Sequence, residues 1–262
     1  MRTIIYPYKM ASESGGLLSD GLNALRVRAD GLYTPRTDDF IINWGSSTIP
    51  IWYNRMESLS SMILNKPEAV SIAVNKLQAL DALSEYGVAT PAYVTQRMDA
   101  VEWLEDGDVV YERHKLTGHS GNGIRVVMPS MELLPAPLYV LGINGQAEYR
   151  VHVVCGEVID YIKKRRRVDD TPNAEQEQVR NLDNGWVYSR QNLRRLDRVE
   201  EIAKQAIEAL ELDFGAVDVI MDDNGDVFVL EVNTACGMSD TTMNAYLESF
   251  NNLIDEHARN YE

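Results

Sequence analysis

The chain has 262 residues, 45% of them hydrophobic, which suffices for the core of one large domain or of two to three small ones at roughly 150 residues each. Acidic residues outnumber basic ones by 40 to 25, and the resulting net charge of −15 argues against a protein that coats nucleic acid or docks on an anionic membrane. No apolar run approaches the roughly 20 residues of a membrane span, Met1 to Pro7 holds no signal-peptide core, and the two cysteines, Cys155 and Cys236, lack zinc or redox-pair spacing, so the expectation is a soluble, reduced, cytoplasmic protein.

Thr3 to Tyr6 reads as a short buried strand, Leu17 to Leu25 as a helix, and Phe40 to Gly45 as a second strand, together a small α/β unit. From Asn65 the apolar period becomes helical. Asn65 can cap, Pro67 suits a first turn, Val70, Val74, Leu77 and Leu80 follow on one face, and Gly87 ends the helix. Strand candidates come next at Val109–Glu112, Ile124–Met128, Leu138–Ile143, Tyr149–Val154 and Glu157–Ile162. A glycine-rich loop, Gly118 to Gly123, separates the first two. Its backbone N–H groups could wrap phosphates, and a plain hairpin turn has the same composition. A helix over Leu196–Leu210 places Val199, Ile202, Ala203, Ala206, Ile207 and Leu210 on one face. A hairpin at Val217–Val232 and a helix near Met243–Ala258 close the chain. The expected class is α+β with an antiparallel C-terminal sheet.

The hairpin carries the chemistry. Asn224-Gly225 between two β-rich runs is a strong hairpin signal. With those two residues at the turn centre, Asp218 sits opposite Glu231, and Asn233 follows two residues on, on the same face. Ile220, Val227 and Val229 are expected on that face, and Val217, Val219, Met221, Phe228, Leu230 and Val232 on the other. Both faces are then apolar near the middle, and two facing carboxylates there repel and desolvate unless a cation lies between them. Oxygen ligands suit a hard ion, Mg²⁺. The bland alternative keeps both acids at a wet sheet end, or one of them protonated. Mg²⁺ usually shares substrate phosphates, which directs attention to Lys76 (otherwise a solvated lysine) and to Lys163–Arg167. That run holds five of 25 basic residues, and is otherwise a solvated charge run.

These residues resemble the ATP-grasp superfamily. Asp218 to Asp222 and Leu230 to Met238 are similar to the metal-binding end of D-alanine–D-alanine ligases, and the resemblance runs from about Asn65 to Gly237. It implies that Asp218, Glu231 and Asn233 hold two Mg²⁺ ions, and that Lys76 touches the phosphates of ATP. Arg113 stands where the family has a second Lys before its flexible loop, in which Ser120 and Gly121 would meet the nucleotide. Val140 and Ile143 resemble the hinge that grips adenine, Glu148 the ribose-binding acid, Arg150 an arginine aimed at the transferred phosphate, and Lys164 the lysine at the γ-phosphate. The N-terminal segment does not resemble the substrate loop of D-alanine ligases, and Ala216 replaces an arginine that steadies their intermediate.

In overall length the chain looks like short stand-alone ATP-grasp proteins of tailed phages. The implied architecture is a pre-grasp α/β domain (1–64), a linking helix with an ATP lid (65–137) and a C-terminal grasp subdomain (138–262). The implied activity joins a small carboxylate to an amine or peptide terminus through an acyl phosphate, releasing ADP and phosphate; the lid loop is expected to move. Cys155 and Cys236 read as core residues rather than nucleophiles. Two other readings stand beside it: a nucleotide-binding regulatory or structural protein, and a small-molecule kinase. Nucleic-acid and membrane partners are not expected, and a homodimer is.

Overall fold

The computed structural model describes residues 1–57, 59, 61–118, 122–167, 180 and 184–259. The N-terminal unit alternates strand and helix: β1 (Arg2–Pro7), α1 (Glu13–Gly21), β2 (Leu25–Arg26), β3 (Asp39–Trp44), α2 (Tyr53–Glu57) and β4 (Met62–Leu64). Its sheet is parallel, in the order β2-β1-β3-β4. Strands β1 and β3 carry consecutive apolar residues at their centres because both faces are covered: Ile4, Tyr6 and Ile41 meet Trp52 and Met56, while Ile5, Phe40 and Ile42 meet Leu18 of α1. The first helix starts earlier than its apolar residues suggest, since Ser12 Oγ accepts from Gly15 N at 3.2 Å and caps it; Leu25 passes into β2.

The single helix expected after Asn65 is two, α3 (Pro67–Val74) and α4 (Lys76–Tyr86). Asn75 breaks them. It is extended (φ −92°, ψ 112°), and its Oδ1 accepts from Leu77 N (3.2 Å) and Gln78 N (3.3 Å), so it ends one helix and caps the next. Gly87, at φ +89°, closes α4 in the left-handed region that glycine enters without a Cβ clash.

A second sheet, β5 (Tyr93–Val94), β6 (Val110–Arg113), β7 (Ile124–Val127) and β8 (Leu138–Leu141), is antiparallel in the order β5-β8-β6-β7. Helix α5 (Arg97–Glu105) covers it through Ala100 and Leu104, packed on Val110, Val127 and Tyr139.

The third and largest sheet is antiparallel, in the order β11-β10-β9-β12-β13: β9 (Gly145–Val154), β10 (Glu157–Arg166), β11 (Trp186–Ser189), β12 (Phe214–Asp222) and β13 (Val227–Asn233). One face carries Tyr149, Val151, Val153, Val217, Val219, Val229 and Val232 against α6 (Asp197–Ala209). Val199, Ile202, Ala203, Ala206 and Ile207 point inward from that helix, as their spacing predicts, and each fully buried Val or Ile contributes about 1.5–3 kcal/mol. Part of the other face is closed by α7 (Asp240–Arg259) and the N-terminal unit, where Trp44 stacks on Phe214 with ring centres 5.5 Å apart and meets Tyr246 edge-on. Among the described residues no helix is long and apolar enough to cross a membrane. Cys236 is buried, whereas Cys155 is exposed in the turn between β9 and β10 and is not a core residue.

The β12–β13 hairpin departs from its expected register near the turn. Met221 pairs with Val227, Ile220 with Phe228 and Val219 with Val229, and the chain reverses over Asp222–Asp226. The register then shifts by one at Leu230, a bulge, after which Asp218 faces Glu231 and Val217 faces Val232. The expected acid pair therefore forms, but Val227 and Val229 lie on the core face with Val219, opposite to the expectation. The hairpin is thus buried on one face and opens its charged face to a cleft.

Candidate active site

Four strands place charged groups on one face of the large sheet. Ladder pairing sets Ile162 of β10, Arg150 of β9, Asp218 of β12 and Glu231 of β13 in one row. One step along, Tyr188 of β11 pairs with Lys164, and Glu148 pairs with Ile220. The basic run 163–167 is not a uniform charged end. Up to Arg166 it is strand, and the pleat sends Lys164 to this face, where it meets Glu148, while Lys163 lies over Tyr149 on the opposite face.

The contacts are close. Arg150 clamps Asp218 with two bonds, Nε to Oδ1 at 2.6 Å and Nη2 to Oδ2 at 2.7 Å, both side chains being buried. Lys164 Nζ bonds Glu148 and lies 3.7 Å from Asp218 Oδ2. Lys76, set by the Asn75 break at the first position of α4, puts Nζ 2.7 Å from Glu231 Oε2, and Asn233 Nδ2 donates to Glu231 Oε1 at 3.0 Å. Arg113 is at the end of β6 in the second sheet. Its buried Nε has no hydrogen-bond partner among the described residues, and the nearby Glu231 favours its charge while burial opposes it. That influence, the Lys76 N–H bond to Leu116 O at 2.8 Å and the Val229 N–H bond to Ala89 O at 2.9 Å bring the second sheet and its flanks against the charged face.

Opposite charges offset burial at Glu231, Arg150 and Lys164. Burial works against the Glu231 charge, yet Lys76, reinforced by Asn233 and Arg150, holds its carboxyl well below the usual carboxylate range. Burial likewise opposes the charges of Arg150 and Lys164, but Asp218 keeps both above their ordinary values, with Glu148 adding to its effect on Lys164. Burial raises the Glu148 carboxyl, against Lys164. Four cations (Lys76, Arg113, Arg150, Lys164) face three carboxylates (Glu148, Asp218, Glu231), an excess of positive charge in a chain of net charge −15. Such a cleft attracts a polyanion.

The donor set fits a hard divalent cation. Asp218 and Glu231 offer carboxyl oxygens and Asn233 an amide oxygen, all on one side of β12 and β13. Among the described residues no three His, Cys, Asp or Glu side chains gather as a metal group, so the candidate donors here are two carboxylates and one amide.

Seven expected residues come together on the large sheet and α4: Lys76, Glu148, Arg150, Lys164, Asp218, Glu231 and Asn233. Val140 is buried in β8 beside Tyr93 and Tyr111, and Ile143 is half-buried just past that strand. Ser120 and Gly121 lie outside the described residues. The sequence leaves open whether the run Trp186-Val187-Tyr188 covers the site or merely packs. The Tyr188 ring lies on Arg150 (4.7 Å from Cζ to the ring centre) and Lys164 (5.7 Å from Nζ), and its only sequence signal is the alternation in that run.

Residues 177–253 match the family model for the D-ala D-ala ligase C-terminus. No curated protein sequence matches the chain. Among solved structures, the ATP-grasp ligase PsnB, complexed with a phosphomimetic variant of its minimal precursor, Mg and ADP, superposes with a TM-score of 0.67 at 13% identity, covering 99% of this chain and 98% of that one. The D-alanine–D-alanine ligase of Bacillus anthracis gives 0.67 at 16% identity over 100% and 98%. A RiPP-associated ATP-grasp ligase of Chryseobacterium gregarium, in complex with ADP and a leader and core peptide, gives 0.64 at 14% identity over 95% and 96%. With three sheets in this order and a C-terminal part that matches D-ala D-ala ligase, the chain has the ATP-grasp fold.

Proposed function

We propose that the protein is an ATP-dependent ligase that joins a carboxylate to an amine through an acyl phosphate. The observation that carries this reading is the row Arg150–Asp218–Glu231 across three neighbouring strands, flanked by Lys164 and Lys76: carboxyl oxygens for a divalent ion lie beside cations for a triphosphate. Structural neighbours solved with ADP and Mg support the same ligands here.

In this reading Lys76 and Arg113 hold the phosphates, Val140 and Ile143 border the base, and Glu148 meets the ribose. Asp218, Glu231 and Asn233 hold Mg²⁺, two ions in the full complex, which when bound offsets phosphate charge. The substrate carboxylate oxygen attacks the γ-phosphorus, forming a C–O–P link as the bond from γ-phosphorus to its bridging oxygen breaks and ADP leaves. Arg150 and Lys164 stabilise charge on the transferring group and need no proton transfer of their own. The amine nitrogen then attacks the acyl carbon, the C–O bond to phosphate breaks, and the nitrogen's proton ends on the departing phosphate. Precursor peptides bound to PsnB and to the Chryseobacterium gregarium enzyme favour a peptide as one of the two substrates.

The test is a coupled ADP-release screen over amino acids, short peptides and polyamines, with product mass spectrometry and hydroxylamine trapping of any acyl phosphate. Amide product with stoichiometric ADP is expected. Trapped acyl phosphate without amide would make the protein a carboxylate kinase, and ATP binding without turnover would end the ligase reading.

A further inference from the structure

The nucleotide and metal residues account for one side of the Arg150–Lys164 pair. Asp218 of β12 takes the Nε and Nη2 edge of Arg150, and the carboxylate of Glu148 and Asp218 face Lys164. Lys76 meets Glu231 on β13, at the far edge of the sheet. The opposite edge is β11, and from it Tyr188 reaches back over both cations. The residue is 42% exposed despite those contacts.

We propose that Tyr188 determines which carboxylate the site accepts, by walling the β11 side of the Arg150–Lys164 pair and presenting its exposed ring edge and hydroxyl to the chain that carries the reacting carboxylate. This rests on the ligase reading given above. A ring laid on a guanidinium and an ammonium closes that side of both charged ends to solvent and to substrate atoms. A carboxylate reaching those cations from the side away from β13 must pass the ring, so its first atoms beyond the carboxyl group pack there. Aliphatic or aromatic stems gain contact with the ring, and stems with an acceptor gain the phenol O–H. Tyr188 is a positioning and selecting residue, not an acid or base: burial, then the nearby Asp218 charge, push its ionisation far above neutrality.

Tyr188→Phe, Tyr188→Ala and the unaltered protein are compared in two assays. The first is calorimetric binding of Mg²⁺ with a non-hydrolysable ATP analogue. The second is hydroxamate formation from Mg·ATP, hydroxylamine and a graded set of acids: acetate, butyrate, benzoate, N-acetylglycine and N-acetylglutamate. Analogue affinity is expected within about twofold in all three proteins, while Tyr188→Ala reorders KM across the acids by about tenfold or more, the scale at which pocket contacts discriminate. Tyr188→Phe is expected to keep the preference among apolar stems and lose it among polar ones. An unchanged rank order in Tyr188→Ala overturns the proposal alone, and so does a parallel fall in analogue affinity, which would make Tyr188 a nucleotide residue. Analogue binding by the unaltered protein with no hydroxamate from any acid overturns the ligase reading and this proposal with it.

Discussion

Lys76 Nζ lies 2.7 Å from Glu231 Oε2, joining the first turn of α4 to an edge strand across 155 positions of sequence. The pair is largely buried, with 15% and 27% of the two side chains exposed, and the lysine holds the acid ionised. Glu231→Gln removes the charge and keeps the shape. ATP turnover is expected to fall by about 10² to 10³ or more, the usual consequence of losing a preorganised charge partner. Stability should fall by about 1–2 kcal/mol, or a few degrees in melting temperature, because the amide oxygen still accepts from Lys76. Near-normal ADP release from a well-folded Glu231→Gln protein would remove Glu231 from the machinery.

The Arg150–Asp218 clamp predicts a different pattern. Only 13% and 4% of these side chains is exposed, and two parallel bonds join them. Arg150→Met leaves Asp218 buried with Lys164 alone at 3.7 Å, so a loss of about 3 kcal/mol is expected in urea titration, the low end for breaking a buried pair. Arg150→Lys keeps the charge but not the fork, and should recover part of the stability and less of the turnover. Equal stability of all three proteins would show that the clamp carries no net energy.

The acid pair was legible in sequence for a reason that is only half right. Asn224-Gly225 places Asp218 opposite Glu231 if the turn is symmetric about them, whereas the strands run one residue out of that register until the bulge at Leu230 restores it. A bulge has no strong composition signal, so the faces of Val227 and Val229 could not be read. The contact of Lys76 with Glu231 was not legible, because helical periodicity runs through Asn75 without a break and the cap there is visible only as backbone geometry. The run 163–167 shows the converse. Its residues read as one charge cluster until strand pairing divides them between two faces. The run Trp186-Val187-Tyr188 could be read as covering the site or as packing, and no further, because the partners of Tyr188 sit on β9 and β10 and nothing local tells a ring over two cations from a ring in a core.

Acid should unfold this protein through His152. The ring is buried beside Tyr246, whose hydroxyl is 3.2 Å from Nδ1, and burial, assisted by Arg150, lowers its pKa from 6.5 to about 4. The unfolded chain then takes up a proton between pH 6.5 and pH 4 that the folded chain refuses. Stability from this group is complete above pH 6.5 and is lost as pH falls, by about 3 kcal/mol at pH 4. His257, also lowered by burial, acts in the same direction. Urea midpoints across this range test it, and His152→Asn should flatten the slope above about pH 5, before the Glu231 carboxyl, held low in the fold, adds its own loss. A slope unchanged by His152→Asn would assign it to other groups.

Asn65 should be the most sensitive position outside the charged face. It ends the N-terminal unit, and its side chain ties that unit to the large sheet: Oδ1 accepts from Asp213 N (2.8 Å) and Phe214 N (3.1 Å), and Nδ2 donates to Phe214 O (2.9 Å). Its own N–H donates to Asp213 Oδ2 at 2.6 Å, and its φ is +58°, a left-handed conformation that Asn tolerates better than most residues. Asn65→Ala strands buried backbone groups and adds backbone strain, so a loss of roughly 3 kcal/mol or more is expected. Asn65→Gly relieves only the strain and should recover about 1 kcal/mol of that. The same unit stacks Trp44 on Phe214 and brings Gly45 so close to Ala235, just past β13, that a Cβ there would come 2.5 Å from that of Ala235, so in the ligase reading loosening the joint should raise KM for the second substrate before it alters nucleotide affinity. Calorimetry with a non-hydrolysable ATP analogue on Asn65→Gly, beside its turnover kinetics, separates the two: equal losses in both would mean that the joint supports the whole fold rather than the approach of the N-terminal unit to the site.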